Sequence, residues 1–285
     1  MVRANAAPAH LPAEAFFLPV DGGSRYCLFH APVGECRDAL VYLHPFAEEM
    51  NKSRRMAALQ ARALAALGVG VLQIDLHGCG DSSGDSGDAR WDGWKRDIDA
   101  ARCWLSGRVG RPAGLWGLRL GALLALDYGA AAPQPPHRLV LWQPLISGTA
   151  VINQFLRLRI AADMLQEGAS NGGTKALRAR LEQGKPVEIA GYELAPQLAA
   201  AIDPLDASVL ARRGCRIDWF EVTPAADRPL PPAASRITAI WQAQRMNFGV
   251  HLVAGEPFWT TPEIAECAAL LDATSALYRQ TIDAH

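Results

Sequence analysis

Three short segments carry the residues able to do chemistry. The first is Gly117-Leu118-Arg119-Leu120-Gly121, where a short apolar strand gives way to a helix rich in Leu and Ala. Two glycines around one residue allow a tight turn and close approach of neighbouring backbone. They match G-x-S-x-G, the strand-to-helix turn that lifts a nucleophilic serine above the sheet. Arg119 stands in the serine's place. A guanidinium stays protonated and cannot attack a carbonyl. It can hold an anion instead: a cation beside helix N-terminal N–H groups suits a carboxylate, a phosphate or a sugar acid. A helix N-terminus repels positive charge, and an unpaired buried charge is very costly. Arg119 therefore needs a bound anion or a carboxylate partner, for which Glu48, Glu49, Asp81 and Asp227 are candidates.

The second segment, Asp75 to Gly84, follows a buried strand. Its glycines and Asp/Ser side chains favour a compact loop bonded to its own backbone, so Ser82 and Ser83 read as loop-forming residues rather than nucleophiles. No Gly-Lys-Ser/Thr follows to make it a phosphate loop. Cys79, between two glycines, would be reactive only with a cation to lower its pKa, and reads as a small loop residue. The third segment runs from Leu43 through His44, Pro45, Phe46, Ala47, Glu48 and Glu49 to Lys52. Of the seven histidines, His44 and His77 each lie just past a parallel strand and can reach the crevice where open α/β sheets bind ligands. His10, His137 and His285 read as solvated, His30 ends an early strand, and His251 packs within the last one. Trp142, Phe258 and Trp259 are candidates for an apolar pocket or for core packing.

The elements that position these segments alternate. Strands are expected at 15–20, 25–31, 39–44, 69–75, 115–117, 139–142, 217–222 and 250–254, and helices at 53–67, 91–105, 118–131, 233–243 and from 262 to about 283. Uninterrupted apolar strands alternating with helices mean a mostly parallel sheet covered on both faces. Between about 147 and 213 the pattern turns helical and looser, which reads as a lid inserted between two strands of one 285-residue domain.

Composition excludes several classes. The formal net charge is -1, without the basic patch of a nucleic-acid binder. No run of about 18 apolar residues can span a membrane. The start has no signal-peptide core, and six scattered cysteines make neither a disulfide frame nor a zinc site. A cytoplasmic protein with no metal and no cofactor is expected.

In their order, the three segments resemble those of the α/β-hydrolase fold, from about residue 15 to the end. More narrowly, HPFAEEMNKSRR, WGLRLGALLAL, GYELAPQLAA and GEPFW resemble the family named exosortase A system-associated hydrolase 2. That family accompanies PEP-CTERM protein sorting and exopolysaccharide production in Gram-negative bacteria. The resemblance implies backbone oxyanion donors at Phe46 or Ala47, because Pro45 has no N–H, and at Leu120. It implies an acid in the loop after the strand that follows the lid, where Asp227 fits. It also implies a histidine in the stretch Gly255 to Trp259, and none is there. Serine-type chemistry needs both a nucleophile and a base. Two functions remain open. One is an ester or thioester hydrolase or acyltransferase with a non-standard site, with Glu48 and Glu49 as alternative bases. The other is a catalytically silent protein that binds an anionic small molecule or a protein partner of the exosortase system.

Overall fold

The computed structural model describes residues 11–167, 173–225 and 227–279, so His10 and His285 lie outside the described residues. An eight-stranded sheet runs through the molecule. It comprises β1 (Glu14–Val20), β2 (Gly23–His30), β3 (Asp38–Leu43), β4 (Val69–Ile74), β5 (Ala113–Leu118), β6 (Arg138–Trp142), and two later strands, Arg216–Thr223 and Phe248–Ala254, which are β9 and β10. Their order is β1-β2-β4-β3-β5-β6-β9-β10. β2 runs antiparallel to both of its neighbours, β1 and β4; β4, β3, β5, β6, β9 and β10 are mutually parallel. β5 is buried at all six positions, as expected for a central strand with both faces covered.

Helices α1 (Glu48–Ala66) and α9 (Ala268–Arg279) cover one face, around Met56, Trp116, Trp142 and Leu270. Helices α2 (Trp91–Val109), α3 (Leu120–Ala131) and α8 (Pro232–Ala243) cover the other, around Trp94, Leu123 and Trp241. Between β6 and β9 lie α4 (Gly148–Glu167), α5 (Gly173–Glu182), the hairpin β7 (Val187–Ile189) and β8 (Tyr192–Leu194), α6 (Pro196–Ile202) and α7 (Ala207–Leu210). The hairpin is absent from the helical pattern read in the sequence; its strands have three residues each, too few to show alternation.

Two helices start five or more residues away from the sequence reading. α1 begins at Glu48 rather than Ser53, because Ala47 turns the chain with φ 52° and ψ −130°. Its first turn then carries Glu48 and Glu49, whose charges favour a helix N-terminus. α9 begins at Ala268 rather than Pro262, because the preceding stretch spends its hydroxyls on local turns, with Thr261 Oγ1 donating to Phe258 O and Glu263 O.

His30, at the end of β2, is 2% exposed and its Nε2 has no partner among the described residues. Burial, reinforced by the charge of Arg62, pushes its pKa from 6.5 down to about 4. Between those values the unfolded chain binds the extra proton and the folded chain does not. Stability is therefore complete above about pH 6.5 and falls as pH drops toward 4, by roughly 3 kcal/mol for this residue. Urea unfolding at pH 7.5 and 4.5 measures the loss. The variant His30→Leu is expected to lose distinctly less over the same interval, with buried His44 supplying part of the remainder.

Candidate functional site

The carboxyl ends of β3, β5 and β6 each lead into a strained residue. Ala47, Arg119 and Gln143 have φ of 52°, 56° and 42°, a region that costs a non-glycine residue about 1–3 kcal/mol and marks functional sites. Arg119 is the N-cap of α3 with ψ −113°. Its N–H donates to Trp142 O, and its carbonyl accepts from Ala122, Leu123 and Leu145. The flanking glycines are steric requirements. A Cβ on Gly121 would lie 2.2 Å from Leu43 O, and one on Gly117 would lie 2.4 Å from Gly121 O. The elbow is thus intact in backbone and altered in side chain.

Arg119 is 9% exposed. Its Nε donates to both Glu49 oxygens at 3.3 and 3.2 Å, and its Nη2 to Glu49 Oε1 at 3.0 Å. The guanidinium carbon also lies 5.4 Å from the Trp259 ring centroid, close enough for a cation–π contact. Of the four candidate carboxylates, Glu49 is the partner. Glu48 instead accepts from Tyr192 Oη at 3.5 Å. Asp81 donates its N–H to Asp75 Oδ2 and lines a different groove. Asp227 is exposed, away from the residues that line the cleft at Arg119.

That cleft is narrow, about 90 Å³, and mainly apolar. Phe46, Ala47, Glu49, Arg119 and Leu120 form its floor, and Val151, Phe155 and Leu158 of α4 with Ile189 and Tyr192 of the hairpin form its roof. Leu120 opens α3 and Ala47 caps α1, so their N–H groups have no acceptor inside those helices. Both helix N-termini face the same floor. The roof is tied to the body by exposed polar contacts: Asn51 Nδ2 donates to Tyr192 Oη, and Glu193 N to Ser86 Oγ.

Of the two histidines near the crevice, His44 has its ring held by hydrogen bonds. His44 is buried; Leu76 N donates to its Nε2, and its Nδ1 lies 2.7 Å from Pro45 O. Both ring nitrogens are engaged, and burial holds its pKa below the ordinary value. His77 donates its backbone N–H to Asp97, and its Nδ1 is buried without a partner among the described residues. Ser82 accepts from Tyr26 N and donates to Asp75 O, holding its loop. Burial pushes the Cys79 thiol up to about 12, away from reactivity. Trp142 and Phe258 pack in the core, with Trp142 Nε1 donating to Thr274 Oγ1. Among the described residues no cluster of three His, Cys, Asp or Glu side chains could hold a metal.

Sequence reasoning missed Glu221 and Gln143. Glu221 is 6% exposed on β9 and accepts from Trp219 Nε1 at 2.8 Å and Gln143 Nε2 at 2.9 Å. Burial pushes its carboxyl up, opposed by these hydrogen bonds and by the charge of Arg119. Its only signal in the sequence is an acidic residue inside the apolar strand IDWFEVT.

A mostly parallel eight-stranded sheet, helices on both faces and a glycine-flanked strained elbow define the α/β-hydrolase class. The chain belongs to the family described as serine aminopeptidase, S33, whose profile matches residues 34–202, more than half its length. No curated protein sequence matches it. Among solved structures it is similar to Est1E of Butyrivibrio proteoclasticus with ferulic acid bound (TM-score 0.67, 15% identity, covering 94% of this chain and 98% of that one). It is also similar to a thermostable carboxyl esterase of Bacillus coagulans in complex with glycerol (0.65, 11%, 96% and 98%). A third likeness is to a soluble variant of Saccharomyces cerevisiae monoglyceride lipase with a substrate analogue (0.61, 12%, 98% and 99%). At these identities the likeness is one of fold. No helix among the described residues is long and apolar enough to cross a membrane.

Proposed function

We propose that this chain is a hydrolase-fold protein without serine-esterase chemistry, and that it binds an amphiphilic, acyl-bearing ligand over the elbow. The observation behind this reading is the Arg119–Glu49 pair, which fills the place of an attacking hydroxyl beneath a narrow apolar slot. A slot walled by Phe46, Phe155 and Leu158 suits an alkyl chain. A polar or anionic head would end at Arg119, replacing Glu49 as its partner. Residues 147–213 act as the lid. The resemblance to exosortase A system-associated hydrolase 2 supports a ligand or protein partner in exopolysaccharide or PEP-CTERM sorting metabolism.

A second reading, an ester or thioester hydrolase or acyltransferase with a non-standard site, is favoured by the retained oxyanion-type donors at Phe46, Ala47 and Leu120. In it Glu49 acts as base on water.

Turnover of short- and long-chain nitrophenyl esters separates the two. The parent is expected to show no rate above Arg119→Ala, Glu49→Gln or Asp227→Ala. Arg119→Ser is also expected to stay inactive, because among the described residues no histidine lines the cleft to take the hydroxyl proton. A parent rate abolished in Glu49→Gln would replace the first reading with the second.

A further inference from the structure

A second groove lies on the α1 side of the sheet, separated from the elbow cleft by the first turns of α1. Its volume is about 550 Å³, several times that of the elbow cleft. A row of paired residues crosses its floor: Leu28 of β2 opposite Gln73 of β4, and Gln73 opposite Tyr42 of β3. Paired positions on adjacent strands point to the same face, here the face covered by α1. One side of that helix, with Asn51 and Arg54, forms the wall, and Asp75 and Asp81 close the end.

The floor holds hydrogen-bonding groups with nothing to bond. Gln73 Nε2 is buried without a partner among the described residues. Tyr42 is 5% exposed, lines the groove, and its hydroxyl has no partner among the described residues. Buried polar groups are almost always satisfied, so the unpartnered Gln73 amide nitrogen calls for an explanation. The groove also offers acceptors. Asp75 takes Arg54 at 3.1 Å and the N–H of Asp81, and Asp81 and Asn51 also line the groove.

We propose that this groove is a binding site for a neutral polyhydroxylated ligand, a saccharide unit, whose hydroxyls satisfy Gln73 and Tyr42 on the floor and Asn51, Arg54 and Asp81 around them. A hydroxyl both donates and accepts, which this mixed set of donors and acceptors requires. The ring of Tyr26 supplies an apolar surface for the C–H face of a sugar. Charge excludes the obvious rivals. Arg54 is already paired with Asp75, and Asp81 leaves the groove net negative, so phosphate and carboxylate are disfavoured. The absence of a three-ligand cluster among the described residues disfavours a metal. The site is independent of the reading given to the elbow cleft.

Ligand-observed saturation-transfer NMR on the full chain tests it, with glucose, galactose, mannose and sucrose as neutral probes and glucuronate and glucose 6-phosphate as anionic ones, all at millimolar concentration. At least one neutral sugar is expected to show transfer. Tyr42→Phe, which keeps the ring, and Gln73→Leu are each expected to weaken its binding about tenfold. Leu158→Ser, in the roof of the other cleft, should leave it unchanged. Thermal melts confirm that each variant is folded, and Tyr42→Phe carries the test if Gln73→Leu is not. No transfer from any neutral sugar, transfer from the anionic probes alone, or equal transfer in parent and Tyr42→Phe would each overturn the proposal.

Discussion

Gly121→Ala is expected to destabilise the protein by about 3 kcal/mol, the upper end of what overpacking costs. The added methyl would sit 2.2 Å from Leu43 O and 2.6 Å from His44 O. Both are backbone atoms at the end of β3, so no side-chain rotation relieves the clash. Either α3 moves away from β3 or the elbow opens, and both displace Arg119 from Glu49. Urea unfolding of parent and variant measures the loss. Gly107→Ala is the control of opposite sign. Gly107 is exposed within α2, and a Cβ there would meet nothing within 4 Å, so the variant is expected to gain about 0.5–1 kcal/mol from helix propensity. A Gly121→Ala protein as stable as its parent would mean that the elbow does not press on β3.

Arg25→Met is expected to cost about 3–5 kcal/mol at pH 7, because it strands a buried carboxylate. Arg25 Nε donates to Asp97 Oδ1 at 2.8 Å, with side chains 4% and 3% exposed. The other oxygen, Oδ2, accepts His77 N–H, so the pair fastens β2, α2 and the loop after β4 together. Burial already pushes the Asp97 carboxyl above its ordinary value, opposed by the His77 N–H and by Arg25. Removing Arg25 raises it further. A group whose acid form is favoured by folding binds more protons in the native state, so it destabilises increasingly as pH rises through its folded pKa. The gap between parent and variant should therefore narrow as pH falls from 7 toward 5, since the stranded Asp97 can then take a proton. A gap that stays constant with pH in paired urea titrations would show that Asp97 is not the group left uncompensated.

The fold was legible because its signals are local. Short apolar runs such as Ala39 to Leu43 and Val69 to Ile74, bounded by turn residues, read as strands covered on both sides, and Gly117 and Gly121 mark a turn where an added Cβ would meet backbone. The boundary of α1 was not legible. Ala47 adopts a positive φ that nothing in its own side chain favours; the packing of the β3–α1 connection imposes it. Glu221 was hidden for a related reason: an acid within a strand reads as a solvent-facing position until Trp219 and Gln143 are seen to enclose it.

By itself, the sequence determined that this protein is an α/β domain with a hydrolase elbow, and that its elbow bears a cation in need of a counter-charge. Arg119 at a helix N-terminus demands a partner from electrostatics alone. Which partner it takes was decided only in three dimensions. Glu49 lies 70 residues from Arg119 along the chain, and Glu48, Asp81 and Asp227 met the same requirement of charge. The choice follows from where α1 begins: the turn at Ala47 sets Glu49 against the guanidinium and Glu48 toward Tyr192. Charge is a property of residue type and can be read in one dimension, whereas a contact depends on the direction in which each backbone segment delivers its side chain, and tertiary packing sets that direction.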